Sequence, residues 1–377
     1  HNVVRLILPG GAPAEGVGGP VERPAQQAAE TLRAWRHDGV LVTDDTPALW
    51  LYELAPPGGL PATVGWLGAV ALPAPGSGAV LPHEDTYAPA VEGRRALLAA
   101  TRTDLEPIVL AHDPSDAVAE LTDGARSGAP ELELTDDDGV VHRLWRVPDP
   151  GTVRRVREAL GGTRAVIADG HHRFAAATAH HRAAPDTHGA DAVLALVTSS
   201  GPGGLRVEAI HRVLPDLPLD RAARLAAGGF TVGDVAAAGA DPEGAARRWL
   251  DAAAPGSFLL SDGARLVSLS APTEAVRAGV PPEAPPAWRA LDVVLAHHGL
   301  VETLWGLPDD PSAVHIAHDV PDALREARER GGTALLLRPA SPGDVAAVAR
   351  AGARMPRKST LFVPKPRTGL VLRPLEA

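Results

Sequence analysis

Cysteine is missing from this 377-residue sequence altogether. Disulfides, thiolate nucleophiles and cysteine-based zinc or iron–sulfur centres are therefore excluded. A chain without thiols suits a reducing compartment, and a cytoplasmic location is expected. Long hydrophobic runs are missing too: nothing approaches the ~18 uninterrupted apolar residues of a membrane-spanning helix, so no membrane partner is expected. The first residues carry no basic region followed by an apolar core, so no secretory signal is expected. Positive charge is in deficit, with 46 acidic against 36 Lys and Arg residues and a formal net charge of −10. That balance disfavours broad nucleic-acid binding, yet it is compatible with a basic pocket for a small phosphorylated ligand.

Lysine is the scarcest charge. Lys358 and Lys365 are the only two, and the single methionine, Met355, stands beside them in Met355-Pro-Arg-Lys358-Ser359-Thr360-Leu-Phe-Val-Pro-Lys365. The Ala-, Gly-, Pro- and Arg-rich composition reflects a bias towards GC-rich codons. Lysine retained against that bias marks positions where arginine does not serve, because ammonium and guanidinium differ in reach, hydration and pKa response. Chance placement is the bland alternative; clustering with Met355, Ser359 and Phe362 favours function.

At this length the chain holds two domains or one enlarged core. Apolar periodicity predicts helices at 26–38 (Leu32 and Trp35 on one face), 93–102, 153–160, 219–227, 242–253, 287–298, 320–330 and 343–353. Strands are predicted at 48–53, 63–72, 107–110, 164–168, 192–197, 205–210, 256–260, 265–269, 333–337, 360–363 and 369–372. Residues 9–24 read as loop, and the acidic, turn-rich stretch 113–140 as a mobile insert or surface hairpin. The loose alternation of elements, with several hairpins, indicates an α/β fold of mixed α+β type. The glycine-rich run at 199–204 suggests a boundary, giving an N-terminal region 1–200 and a C-terminal region 201–377.

The densest polar signal is Asp169-Gly170-His171-His172-Arg173, between an apolar run at 164–168 and an alanine-rich, breaker-free run at 174–179. A strand handing over to a helix there would set three basic or proton-carrying side chains beside the partial positive charge and unpaired N–H groups of a helix start, a ready anion site. The bland reading makes Asp169 a helix cap and leaves the histidines solvated. An aspartate followed by His171-His172-Arg173, with no small spacer between the basic groups, favours a site. The pairs His180-His181 and His297-His298, and His315 with His318, lack a carboxylate motif or His-Glu-x-x-His spacing and are read as structural or solvated.

Four segments, Leu81-Pro-His83-Glu84-Asp-Thr86, Ile167-Ala-Asp169-Gly-His-His-Arg173, Ile210-His211-Arg212 and the Met355–Lys365 stretch, together resemble the domain of unknown function 1015 family, over roughly residues 30–377. Where that family has a Pro-Pro-Tyr-Asp-type stretch, this chain has Leu8-Pro-Gly-Gly-Ala-Pro13, so no ligand contact is carried over to it. More distantly, the segment from His83-Glu84 to the Asp-Gly-His-His-Arg turn is similar to free serine kinases of the ParB/sulfiredoxin-like superfamily. This resemblance implies a ParB/sulfiredoxin-like phosphate-binding core with a larger C-terminal α+β elaboration completing the same cleft. It also implies a nucleotide, ATP or ADP, bound at Asp169–Arg173, and Glu84 as base on the serine hydroxyl.

The residues suit phosphoryl transfer, which asks a protein mainly for positioning and charge neutralisation. Arg173, the amides after Gly170, and Lys358 with Ser359 and Thr360 would hold a polyphosphate, and Gly170 lets backbone approach it closely. His171 or His172 would donate to the transferred group, and Glu84, aided by His83, would take the hydroxyl proton. Asp169 would carry Mg2+, and His211, Arg212 and Lys365 would bind the small-molecule substrate. The alternatives are a phosphate-ester or nucleotide hydrolase, or a non-catalytic nucleotide- or anion-binding module. A ParB-like DNA binder is disfavoured by acidity and the lack of a basic recognition helix.

Overall fold

The strand and helix expected around the Asp-Gly turn are both present, as Ala165–Asp169 and His171–Ala183, in a computed structural model that describes residues 1–9, 22–74, 76–235, 241–308 and 310–375. Val166 and Ile167 fit a pleated, buried strand, and Ala176 and Ala177 let the helix sit close on the sheet. The fold is mixed α/β, as expected. The described residues form two compact units, 1–205 with 364–377, and 206–363.

The first unit is built on an eight-stranded sheet in the order Val80–Leu81, Ala165–Asp169, Ile108–His112, Ala192–Ser199, Thr63–Ala71, Leu49–Ala55, Val141–Val147, Leu132–Thr135. Ala165–Asp169 runs parallel to Val80–Leu81, so both strands end at the same edge of the sheet. The chain leaving Leu81 through His83 and Glu84 is thereby delivered beside Asp169. On its other side the strand is antiparallel to Ile108–His112, with Val109 opposite Asp169 and a register shift between Val109 and Leu110. That pairing brings Pro107 to the same edge.

Ile108, Leu110, Ile167, Val193 and Ala195 form one core layer, against which Leu98 of the helix Ala88–Thr101 and Phe174 of His171–Ala183 pack. Leu51, Trp66 and Trp145 form another with Val118 and Val156, from the helices Asp116–Arg126 and Pro150–Gly161. The second unit has a six-stranded, wholly antiparallel sheet, Thr231–Asp234, Leu266–Ser270, Phe258–Ser261, Thr333–Leu336, His211–Leu214, His315–Ala317. The helices Pro242–Ala252 and Val320–Arg330 supply Ala246, Ala323 and Leu324 to its core. Among the described residues no helix is long and apolar enough to cross a membrane.

Several expectations are corrected. Of the two readings of 113–140, the surface hairpin holds, with Leu132–Thr135 antiparallel to Val141–Val147 at the sheet edge, while the loose insert does not: the helix Asp116–Arg126 is pinned by Trp66 Nε1 donating to Thr122 Oγ1 at 3.0 Å. The strand expected at 205–210 is present as Arg206–Glu208, and a further, unexpected strand, His211–Leu214, follows it. Arg206–Glu208 pairs with Leu361–Val363, whereas His211–Leu214 joins the six-stranded sheet. The C-terminal strand lies at Arg373–Pro374, paired with Thr103–Asp104, rather than at 369–372, because Leu370, Val371 and Leu372 are used to fill core layers. The helix expected at 287–298 is instead two short turns, Pro286–Arg289 and Asp292–Val294, running into a π-helix, Leu295–Leu304. Most of the loop expected at 9–24 lies outside the described residues, and 22–24 already belong to the helix Glu22–His37.

Candidate active site

The bend at Gly170 has φ +94° and ψ 28°, a left-handed conformation that only glycine adopts without strain. A Cβ there would stand 2.9 Å from Ile108 Cγ2 and 3.1 Å from Ile108 Cβ. Glycine is thus required twice, by backbone angle and by the approach of the neighbouring strand. Asp169 does not cap the helix with its side chain; the left-handed Gly170 stands at the N-cap position. The first N–H to bond along the helix is that of Phe174, to the Gly170 carbonyl at 2.9 Å.

Asp169 is a hub for two cations. Arg173 Nη2 lies 2.5 Å from its Oδ2, and Lys365 Nζ lies 3.0 Å from its Oδ1. Burial opposes ionisation of this carboxyl, but the charges of Arg173 and Lys365 outweigh it and hold its pKa below the usual range. The other terminal nitrogen of Arg173 donates to the Pro107 carbonyl. Both ends of the guanidinium fork therefore brace the turn, where the sequence suggested a grip on phosphate. Lys365, with 58% of its side chain exposed, is the accessible cation of this group.

The two histidines act as acceptors. The His83 backbone N–H donates to His171 Nε2 at 3.2 Å, and the Tyr87 backbone N–H donates to His172 Nε2 at 3.0 Å. An amide has only a proton to give, so each Nε2 presents a lone pair and any ring proton sits on Nδ1. Burial, with Arg94 nearby, lowers the pKa of His172, in keeping with a neutral ring. These bonds tie the segment 83–87 to the first turn of the helix. The His83 and His171 rings meet edge to face at 4.6 Å, both buried. Glu84 sits against this pair, its Oε1 3.7 Å from His83 Nε2 and its Oε2 3.9 Å from His171 Nδ1. Its side chain stays 43% exposed. An open depression of about 410 Å3 adjoins the turn, lined in part by Arg94, Leu98, Glu106 and Arg173.

Glu84, His83, Asp169, Gly170, His171, His172, Arg173 and Lys365 thus come together in the first unit. His211, Arg212, Lys358, Ser359 and Thr360 belong to the second. His211 is buried, its Nδ1 accepts from the Leu337 N–H at 3.2 Å, and burial followed by the charge of Arg212 lowers its pKa to about 4. Arg212 donates to the carbonyls of Ile210 at 3.2 Å and Arg357 at 3.4 Å, tying its strand to the turn that carries Lys358. Lys358 is exposed at φ +50°. Ser359 is buried and donates to the Pro356 carbonyl at 2.6 Å.

The sequence reading missed a buried relay in the first unit. The Tyr52 hydroxyl lies 2.8 Å from His142 Nδ1, His142 Nε2 lies 2.9 Å from Asp136 Oδ2, and the Arg367 N–H donates to the Tyr52 oxygen at 3.2 Å. Arg367 also forms ion pairs with Asp136 and Asp138. This network fastens the segment carrying Lys365. No periodicity along Val141-His-Arg-Leu-Trp-Arg-Val147 points to it in the sequence.

Three solved structures are similar in fold, at low likeness. A free serine kinase variant in complex with AMP is 14% identical with a TM-score of 0.39, covering 85% of this chain and 97% of that one. A conserved hypothetical protein from Pyrococcus furiosus is 14% identical at TM-score 0.34, covering 82% and 96%. SbnI with a C-terminal truncation from Staphylococcus aureus is 12% identical at TM-score 0.40, covering 82% and 87%. No curated protein matches the chain. The family model described as protein of unknown function (DUF1015) matches residues 1–294, which include the Glu84 segment, the Asp-Gly-His-His-Arg turn and His211-Arg212 but not Met355–Lys365. With well over half its length matched, and two of the segments that carried the resemblance converging at one edge of the sheet, the chain belongs to the DUF1015 family.

Proposed function

We propose that this chain is a nucleotide-dependent kinase of small molecules, phosphorylating the hydroxyl of free serine or a similar hydroxy amino acid. One observation supports the reading: a half-exposed carboxylate, Glu84, faces two buried imidazoles at 3.7 and 3.9 Å beside the first turn of a helix. A general base must be reachable, oriented, and close to where transferred charge is stabilised. The acceptor oxygen attacks the terminal phosphorus, the bond from phosphorus to the nucleotide oxygen breaks, and the hydroxyl proton passes to Glu84. The helix dipole and Lys365 offset the phosphate charge. His171 and His172 position the base-bearing segment, and Arg173 holds Asp169.

Magnesium would arrive bound to the polyphosphate. Both oxygens of Asp169 are engaged by Arg173 and Lys365, so Asp169 does not fit as its ligand here, and no step is routed through the metal. The test is incubation with ATP or ADP, magnesium and a panel of hydroxy amino acids, followed by mass spectrometry of the acceptor. A phosphorylated acceptor is expected, with turnover reduced about 10²–10⁴-fold in Glu84→Gln and nucleotide affinity retained. Release of free phosphate alone would make the protein a hydrolase, and tight binding without turnover would make it a sensing module.

A further inference from the structure

The π-helix Leu295–Leu304 gives His297 and His298 a role that their spacing did not suggest. In a π-helix each N–H bonds the carbonyl five residues back, and the Trp305 N–H continues that pattern to Leu300 at 2.8 Å. Residues four and five apart then share a face, whereas in an α-helix the fifth residue on lies about 140° round the axis. Glu302 is four residues beyond His298 and five beyond His297, so the wide turn sets it over both. Its Oε2 lies 2.6 Å from His298 Nδ1 and its Oε1 lies 3.2 Å from His297 Nε2. The two rings stand 4.7 Å apart at 80°, and one ligand atom from each of the three side chains lies within 4.8 Å of the others.

The cluster is braced. The Trp288 ring lies 5.7 Å from that of His298, and Thr303 Oγ1 donates to the His298 carbonyl at 2.6 Å. Gly299 lies tight against the helix Glu274–Ala278, where an added Cβ would come within 2.6 Å of Val276 Cγ1. π-Helical turns are rare and concentrate at functional sites.

We propose that His297, His298 and Glu302 bind a divalent transition-metal ion, with zinc the best-matched class. Two imidazole nitrogens and one carboxylate oxygen form a donor set for zinc and its transition-metal neighbours, whereas magnesium and calcium prefer oxygen ligands alone. A tetrahedral ion with bonds of about 2.0–2.2 Å needs donors roughly 3.3 Å apart, and the three ligand atoms, within 4.8 Å of one another, would draw together around it. Glu302 reaches solvent, which leaves a fourth position for water. Without the ion, the carboxylate accepts from the facing ring N–H groups.

The test uses the full chain without a polyhistidine tag, titrated with Co2+ as a visible-absorbing stand-in and then with Zn2+ in competition. One ion per chain is expected, with a visible cobalt band that zinc abolishes. Glu302→Gln and His297→Gln should each weaken binding at least about tenfold, the lower end of what loss of even an outer-shell partner costs. Unchanged affinity and spectrum in both variants would assign the ion to other histidines and overturn the proposal, as would no binding at micromolar zinc. Circular dichroism checks that the variants are folded. Should they unfold, zinc protection of the peptide bearing His297 and His298 against histidine modification in the unaltered chain decides, and equal modification with and without zinc refutes it.

Discussion

Replacing Gly170 with alanine perturbs the turn at a single atom. The added Cβ would meet Ile108 Cγ2 at 2.9 Å in a backbone held at φ +94°. An L-residue forced into the left-handed region loses about 1–2 kcal/mol. Overpacking a fully buried neighbour such as Ile108 adds about 1–3 kcal/mol. The sum, about 2–5 kcal/mol, is a large share of the roughly 5–15 kcal/mol that stabilises a folded protein. Urea unfolding followed by circular dichroism should show a lowered midpoint with an unchanged slope. The two contributions separate in a double-mutant cycle with Ile108→Ala, which removes Cγ2 and itself costs about 2–5 kcal/mol. If the contact is real, the double variant loses less than the sum by about 1–2 kcal/mol, within the range for touching residues. Additivity within about 0.5 kcal/mol would refute the steric argument, and a Gly170→Ala cost below about 0.5 kcal/mol would refute the strained bend altogether.

Burial holds the pKa of His211 at about 4, below the ordinary histidine value of 6.5. The unfolded chain therefore takes up this proton first, and the stability involved is complete above pH 6.5 and lost as pH falls towards 4, by about 3 kcal/mol. His211→Asn, which keeps an acceptor for the Leu337 amide, should flatten that acid slope in denaturation series; an unaltered slope would exclude His211 as its source. Tyr52→Phe strips a partner from His142 and from the Arg367 amide and should lower stability by about 1–3 kcal/mol, read by thermal unfolding. Lys358→Gly removes a left-handed non-glycine residue at φ +50° and should raise stability by about 1 kcal/mol. If the strain is retained for function, the same variant lowers turnover more than about tenfold, and gains in both would discard the argument from lysine scarcity.

The elements that carry the site were legible because their signals are local. An apolar run, a glycine and an alanine-rich run locate Ala165–Asp169, Gly170 and the helix that follows, which at His171–Ala183 extends beyond the alanine-rich run 174–179 at both ends. What Arg173 does was not legible, since its partners are its own neighbour Asp169 and a carbonyl 66 residues away. Lys365 was marked by its rarity, yet its partner Asp169, 196 residues distant, was not. The apolar stretch 369–372 misled because Leu370, Val371 and Leu372 pack without pairing, and the pairing falls on Arg373, which Asp104 holds at 2.7 Å. The segment 287–298 misled for a different reason. Apolar spacing detects that a helix is present, but the five-residue hydrogen-bond step that aligns Glu302 with two histidines leaves no mark in composition.

Residues 364–377 close the unit that begins at residue 1, and the whole span 206–363 lies between. A ribosome therefore completes the second unit before it supplies the last pieces of the first. Until Lys365 and Arg373 emerge, Asp169 lacks one of its two cations and Asp104, whose pKa burial raises, has no guanidinium facing it. A nascent chain halted after Val363 would thus carry a turn wired differently from the finished one. Only with residues 365–373 in place does Asp169 hold both its cations and Asp104 its guanidinium.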